Sequence, residues 1–145
     1  MQKLVAAVDF SSVSRAVVEQ AASLAEAYSA ELTLIHVAPP EPDFVGYEVD
    51  TKPIRDDRAS DIRAEHRALQ AMADELRERG IAARAILIQG TAVEKIVAEA
   101  ERLGADTIVV GSHGHGAIYR ALLGSVSEGV VRAARRPVLV VPAAH

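Results

Sequence analysis

The chain has 145 residues, half of them apolar but only 3% aromatic, with no cysteine and a net charge of −4, which suits one domain (1–145) whose core is filled by Val, Ile, Leu and Ala. The acidic balance gives no basic field for a polyanion and the few aromatics leave few stacking platforms, so no nucleic-acid partner is expected, and the missing thiols exclude disulfides, thiolate metal sites and cysteine chemistry. No apolar run approaches membrane-spanning length and no signal-peptide architecture is evident at the start, so the expectation is a cytoplasmic protein with no membrane partner.

Five β-rich runs alternate with helical patterns. The first strand is expected over residues 3–8, followed by Asp9-Phe10-Ser11-Ser12 and a helix that places Val13, Val17, Ala21, Leu24 and Tyr28 on one face. A second strand over 31–37 contains His36, which inside an apolar run reads as a satisfied core histidine. Residues 39–57 then break the rhythm. Pro39-Pro40-Glu41-Pro42-Asp43 precedes Phe44, Val45, Tyr47 and Val49, too long for an ordinary connection, so this segment is a lid, a contact surface or a solvated irregular loop.

The second helix carries Ile62, Leu69, Met72, Ala73 and Leu76, with Gly80 where a C-terminal glycine belongs. After a strand over 83–88, Thr91-Ala92-Val93-Glu94 has the spacing of a capping box. It opens a helix striped by Val93, Ile96, Val97, Ala100 and Leu103 and closed by Gly104. A strand over 107–110 leads into a glycine-punctuated loop, and Ser125-Val126-Ser127-Glu128 repeats the capping-box spacing before a fourth helix and a last strand over 137–141. The alternation implies an α/β fold with a parallel sheet and right-handed crossovers. Ligands then bind at strand C-terminal ends, where both Asp9 and the glycine loop fall.

That loop reads Gly111-Ser112-His113-Gly114-His115-Gly116 and, after Arg120, Leu123-Gly124-Ser125-Val126-Ser127. Glycines let backbone N–H groups turn toward a ligand, and the helix that follows offers a positive dipole end, so the chemistry suits phosphate and the ligand is expected to be a nucleotide. No Walker lysine is present, and a divalent cation bridging the phosphates is the economical way to meet a triphosphate's charge. His113 and His115 have no clear third metal ligand, and no protein metal cage is expected.

The spacing Gly111-x2-Gly114-x9-Gly124-Ser125, with Val8-Asp9-x-Ser11, His36-Val37, Gly90 and the closing Pro137-Val138-Leu139-Val140-Val141, closely resembles ATP-binding members of the universal stress protein family from end to end. The resemblance implies an open five-stranded Rossmann-like sheet of order 3-2-1-4-5 with helices on both faces, an ATP at the strand C-terminal ends with Mg2+ or Mn2+ on its phosphates, and a homodimer. It puts Asp9 and Val37 against adenosine, and Gly111, Gly114, His115, Gly116, Gly124, Ser125, Val126 and Ser127 around ribose and phosphates. Fold relatives that adenylate carry Ser-Gly-Gly-x-Asp-Ser where this chain has Asp9-Phe10-Ser11-Ser12-Val13-Ser14, which disfavours that enzyme class.

Plainer roles stand beside several of these. Ser125 is able to cap its helix without a ligand, a contribution of about 1 kcal/mol, but that leaves the glycines unexplained. Ser127 suits a local hydrogen bond. Asp9 serves as an N-terminal helix partner, or faces a ribose, an adenine edge or a metal. Arg120 either meets phosphate or is solvated, and Arg132, Arg135 and Arg136 complement the fourth helix's dipole. The apolar run Val138 to Val141, an edge strand by the family topology, invites pairing with the same strand of a second subunit. The expected protein is therefore a homodimeric ATP binder with a regulatory, stress-response role toward an unidentified protein partner. Slow ATP hydrolysis, AMP or cyclic-nucleotide binding, and a nucleotide-free interaction module are the alternatives. No base, orienter and electrophile can be assigned, so no catalytic residue is named.

Overall fold

In the computed structural model the chain runs β1 (Lys3–Ala7), α1 (Ser14–Tyr28), β2 (Glu31–Ala38), α2 (Lys52–Glu78), β3 (Ala83–Gln89), α3 (Ala92–Leu103), β4 (Thr107–Gly111), α4 (Ser125–Ala133) and β5 (Val138–Val141). The structure describes residues 1–40, 52–113 and 123–143, with the side chains of α2 from residue 57 onward. The expected lid or contact surface over residues 39–57 lies mostly outside them.

The strands form one parallel sheet in the order β3-β2-β1-β4-β5, the order implied above. Leu4, Val5 and Ala6 of central β1 are at most 1% exposed, which is why these strands read as continuous apolar runs rather than alternating ones. The two-residue period sends Leu4 and Ala6 to one face, with Leu32 and Leu34 of β2, against Val17 and Ala21 of α1 and Leu69 and Ala73 of α2. Val5 goes to the other, with Ile35, Ile108 and Val110 against Ile96 of α3 and Val130 of α4. Truncating one of these fully buried leucines costs about 2–5 kcal/mol.

On α1 the buried face consists of Val17, Val18, Ala21, Ala22 and Ala25, whereas Tyr28, expected on that face, is 54% exposed. It is the last helical residue, at the rim where left-handed Ser29 turns the chain into β2. Thr91 stands at the N-cap of α3 in extended conformation but makes no side-chain cap bond, so the expected capping box is present in spacing only. Where α3 and α4 pack together, a Cβ on Gly129 would lie 2.7 Å from Val93 Cγ2, so glycine is what permits their approach.

The 27 residues of α2 span about 40 Å, whereas the 7 residues of β3 span about 23 Å. Because α2 ends where the chain turns into β3, the excess lies at its beginning, at the strand C-terminal ends. Among the described side chains of α2, the fully buried ones begin at Leu69. Before it the described contacts are polar: Arg58 donates to the Pro39 carbonyl and, at 3.2 Å, to that of Pro40, and Glu65 meets His36.

Candidate functional site

The end of β1 builds one wall of a cleft. After Val8 the chain turns through Phe10, whose φ of 59° is left-handed, a conformation that costs a non-glycine residue about 1–3 kcal/mol. Its ring packs 4.7 Å from the His36 ring at 57°. The turn delivers Asp9 to the cleft with its Oδ1 accepting from Ser11 N–H at 2.9 Å and Ser14 Oγ at 2.8 Å. The helix-partner role expected for Asp9 and its place at the site are therefore compatible.

The end of β4 builds the opposite wall. Ser112 N–H donates to Val141 O at 2.8 Å, and Gly124 N–H donates to Ser112 O at 2.6 Å, which fastens the two ends of the glycine loop together. Ser127 Oγ lies 3.0 Å from both the Ser112 and Gly124 carbonyls and Ser127 is 3% exposed. Its hydroxyl serves the loop, as a local hydrogen bond would. A Cβ on Gly111 would lie 2.6 Å from Val13 Cγ1, so this glycine lets β4 pass against the start of α1. Gly114, His115, Gly116 and Arg120 lie outside the described residues.

Helix α4 begins at Ser125 with Gly124 as an extended N-cap, and no side chain caps it. This corrects the expected capping box: Ser125 is one position too far along the chain to cap, and Glu128 pairs instead with Arg132 at 2.8 Å. Backbone N–H groups of the first turn are thereby left without a side-chain partner of the capping kind, at the positive end of the helix dipole. Arg136 departs from its expected role too. It donates to the carbonyls of Ala100, at 3.1 Å, and Ala105, closing the end of α3 rather than that of α4.

Between these walls lies a cavity of about 360 Å3, within the range of small-molecule sites. Asp9, Val37, Gly111, Gly124, Ser125, Val126 and Ser127 all border it, so every described residue of the expected site comes together. Sequence reasoning missed the apolar part of the lining: Val13 and Val17 of α1, Ile35 of β2, and Ala92 and Ile96 of α3. Each reads in sequence as ordinary core. His113 also borders the cavity. The cleft thus has an apolar side, suited to a flat heterocycle, and a side of glycine backbone and a helix N-terminus, suited to an anion. Among the described residues no three His, Asp or Glu side chains gather into a cation site, and no helix is long and apolar enough to cross a membrane.

His36 stands behind the first wall, on the strand face opposite Ile35 and Val37. Its Nδ1 is 2.7 Å from Val8 O and its Nε2 is 2.9 Å from Glu65 Oε2, so it is the satisfied core histidine expected.

A model of the universal stress protein family matches residues 1–142. A universal stress protein of Thermus aquaticus is 37% identical over 119 residues, covering 81% of each chain. One from Methanocaldococcus jannaschii is 33% identical over 142 residues, covering 97% of this chain and 81% of its own. The crystal structure of a universal stress protein in complex with cAMP superposes with a TM-score of 0.69 at 26% identity, covering 99% of this chain and 98% of that one.

Proposed function

The chain belongs to the universal stress protein family, and from that premise we propose that it binds ATP in the cleft between β1, β4 and α4, and acts as a homodimeric regulator in the cytoplasm. The observation that carries this reading is the start of α4, which has no side-chain cap and borders a cavity of about 360 Å3 with an apolar side. Phosphates fit the Gly124–Ser127 turn and Gly111, with Gly114, His115 and Gly116 completing the loop. Adenosine fits the apolar side, with Val37 and Asp9 at its edge. Mg2+ or Mn2+ arrives on the phosphates and supplies the positive charge that the missing Walker lysine does not.

The test is to denature freshly purified protein, identify the released small molecules by mass, and titrate the emptied protein with Mg-ATP. ATP or ADP in near-stoichiometric amount, or saturable Mg-ATP binding, supports the reading. Protein that is empty and also fails to bind overturns it and leaves the interaction-module alternative in first place. Slow hydrolysis is the enzymatic alternative, tested by phosphate release that survives purification and disappears in Gly114→Asp.

A second ligand reading has its own support: a relative of the same fold was crystallised with cAMP. The apolar side and a single phosphate contact would accommodate AMP or cAMP as well. Competition of each against Mg-ATP ranks them.

A further inference from the structure

His36 has an acceptor at each ring nitrogen. Val8 O lies 2.7 Å from Nδ1 and Glu65 Oε2 lies 2.9 Å from Nε2. A neutral imidazole carries one N–H, so it is able to donate to one of these partners only. The arrangement is complete when the pair holds a second proton, with Nδ1–H donating to Val8 and Nε2–H donating to Glu65. What this proton fastens is the wall of the cleft: Val8 and Asp9 border the cavity, and the strained Phe10 rests its ring on His36.

Among the described residues, the other groups around His36 do not replace Glu65. Its side chain is 8% exposed and that of Glu65 is 36% exposed. On α2, Asp61 and His66 are exposed, His66 lies within hydrogen-bond distance of Gln70, and Arg58 is directed to the Pro39 and Pro40 carbonyls. In the β1–α1 turn, Asp9 Oδ1 faces Ser11 and Ser14. On β3 the residue alongside is the apolar Leu87. Loss of the proton would set the Nε2 lone pair against a carboxylate oxygen at 2.9 Å, and Glu65, its side chain 36% exposed, already reaches solvent.

We propose that His36 is a positioning residue for the nucleotide site: protonated and bridging Val8 to Glu65, it fixes the Val8–Asp9–Phe10 wall, so that adenine-nucleotide affinity falls when this bridge loses its proton. The proposal rests on the adenine-nucleotide reading of the cleft. It makes the part of α2 around Glu65, ahead of the core packing that starts at Leu69, a part of the binding machinery.

The experiment compares the full chain with Glu65→Gln, a change at a half-exposed position whose amide is able to donate to a neutral Nε2 and so keep the bridge without the extra proton. Mg-ATP affinity is measured by calorimetry at several values between about pH 6 and about pH 9. The imidazole 15N shifts and the Val8, Asp9 and Phe10 amide resonances are followed over the same series. Titration of the ligand's own phosphates is common to both proteins, so their difference reports the bridge. The expected result is an affinity that falls across the range about fivefold further in the native protein than in Glu65→Gln. The amides should move together with deprotonation of His36 in the native protein and stay still in the variant. Equal pH dependence of affinity in the two proteins, or amides that do not follow the His36 ring, overturns the proposal. Failure to bind any adenine nucleotide at any pH removes the functional reading instead. The amide shifts then decide alone whether His36 sets this wall.

Discussion

Gly111 shows how one absent methyl group shapes the site. With its would-be Cβ 2.6 Å from Val13 Cγ1, Gly111→Ala must displace either the start of α1 or the end of β4, an overpacking cost of about 1–3 kcal/mol. We expect a lower melting temperature together with at least a severalfold loss of Mg-ATP affinity, read by thermal melts and calorimetry on the same preparation. Far from the cleft, Asp106 Oδ2 accepts the N–H groups of Gln2 at 2.7 Å and Lys3 at 3.0 Å, tying the beginning of β1 to the turn before β4. Those two N–H groups hold the Asp106 carboxyl below its usual range. A carboxylate depressed in the folded state stabilises above its unfolded value, about 3.9, and loses that contribution as pH falls through the lower folded value. Asp106→Asn should therefore lower the melting temperature at neutral pH and narrow the gap to the native protein as acid is added; a constant gap down to strong acid would refute this. At this scale the places of Gly111, Gly124 and Asp9 around one cavity were legible because their chemistry is unusual at strand ends. Val13, Ala92 and Ile96 were not, since a residue that floors a pocket and one that fills a core carry the same apolar signal.

Both capping boxes illustrate what a short motif conveys about an element. Thr91 and Ser125 mark the beginnings of α3 and α4 to within a residue, yet neither makes a cap bond. A pattern of residue types locates a helix start, but the backbone decides which residue is the cap, and at α4 that residue is Gly124. The consequence is a pair of opposite effects. Ser125→Asp places a carboxylate in the first turn of α4 and should stabilise the protein by about 0.3–1 kcal/mol through the helix dipole. The same charge should repel a phosphate and weaken Mg-ATP binding by an order of magnitude or more. A variant that is both more stable and still tight for Mg-ATP would show that phosphate does not sit at this turn. The α3–α4 contact has a similar internal check. Gly129→Ala alone should destabilise by about 1–3 kcal/mol, because its Cβ would meet Val93 Cγ2 at 2.7 Å. Adding Val93→Ala should recover part of the loss, and a double mutant whose effects are strictly additive in chemical denaturation would deny the contact.

Across the whole molecule, the α/β class was legible from alternation and from strands apolar on both faces. The order β3-β2-β1-β4-β5 was not available from periodicity, which reports what each strand buries and nothing about its neighbours; the family resemblance supplied it. Among the described residues that order leaves β5 bonded on one side, to β4, with Leu139 37% exposed. If this edge joins two copies, Leu139→Lys should shift the protein toward monomer, since a charge on an edge strand opposes pairing, and sedimentation equilibrium checks it. A native protein that is already monomeric at micromolar concentration would remove the dimer from the proposal. The long helix α2 has a different consequence. It is anchored in the core from Leu69 onward, while between residues 57 and 68 its described ties, from Arg58 and Glu65, are polar and run to His36 and the chain just after β2. Local opening free energies follow buried apolar contact, so this single helix should behave as two cooperative units, residues 57–68 exchanging their amide hydrogens through brief excursions that leave the sheet intact.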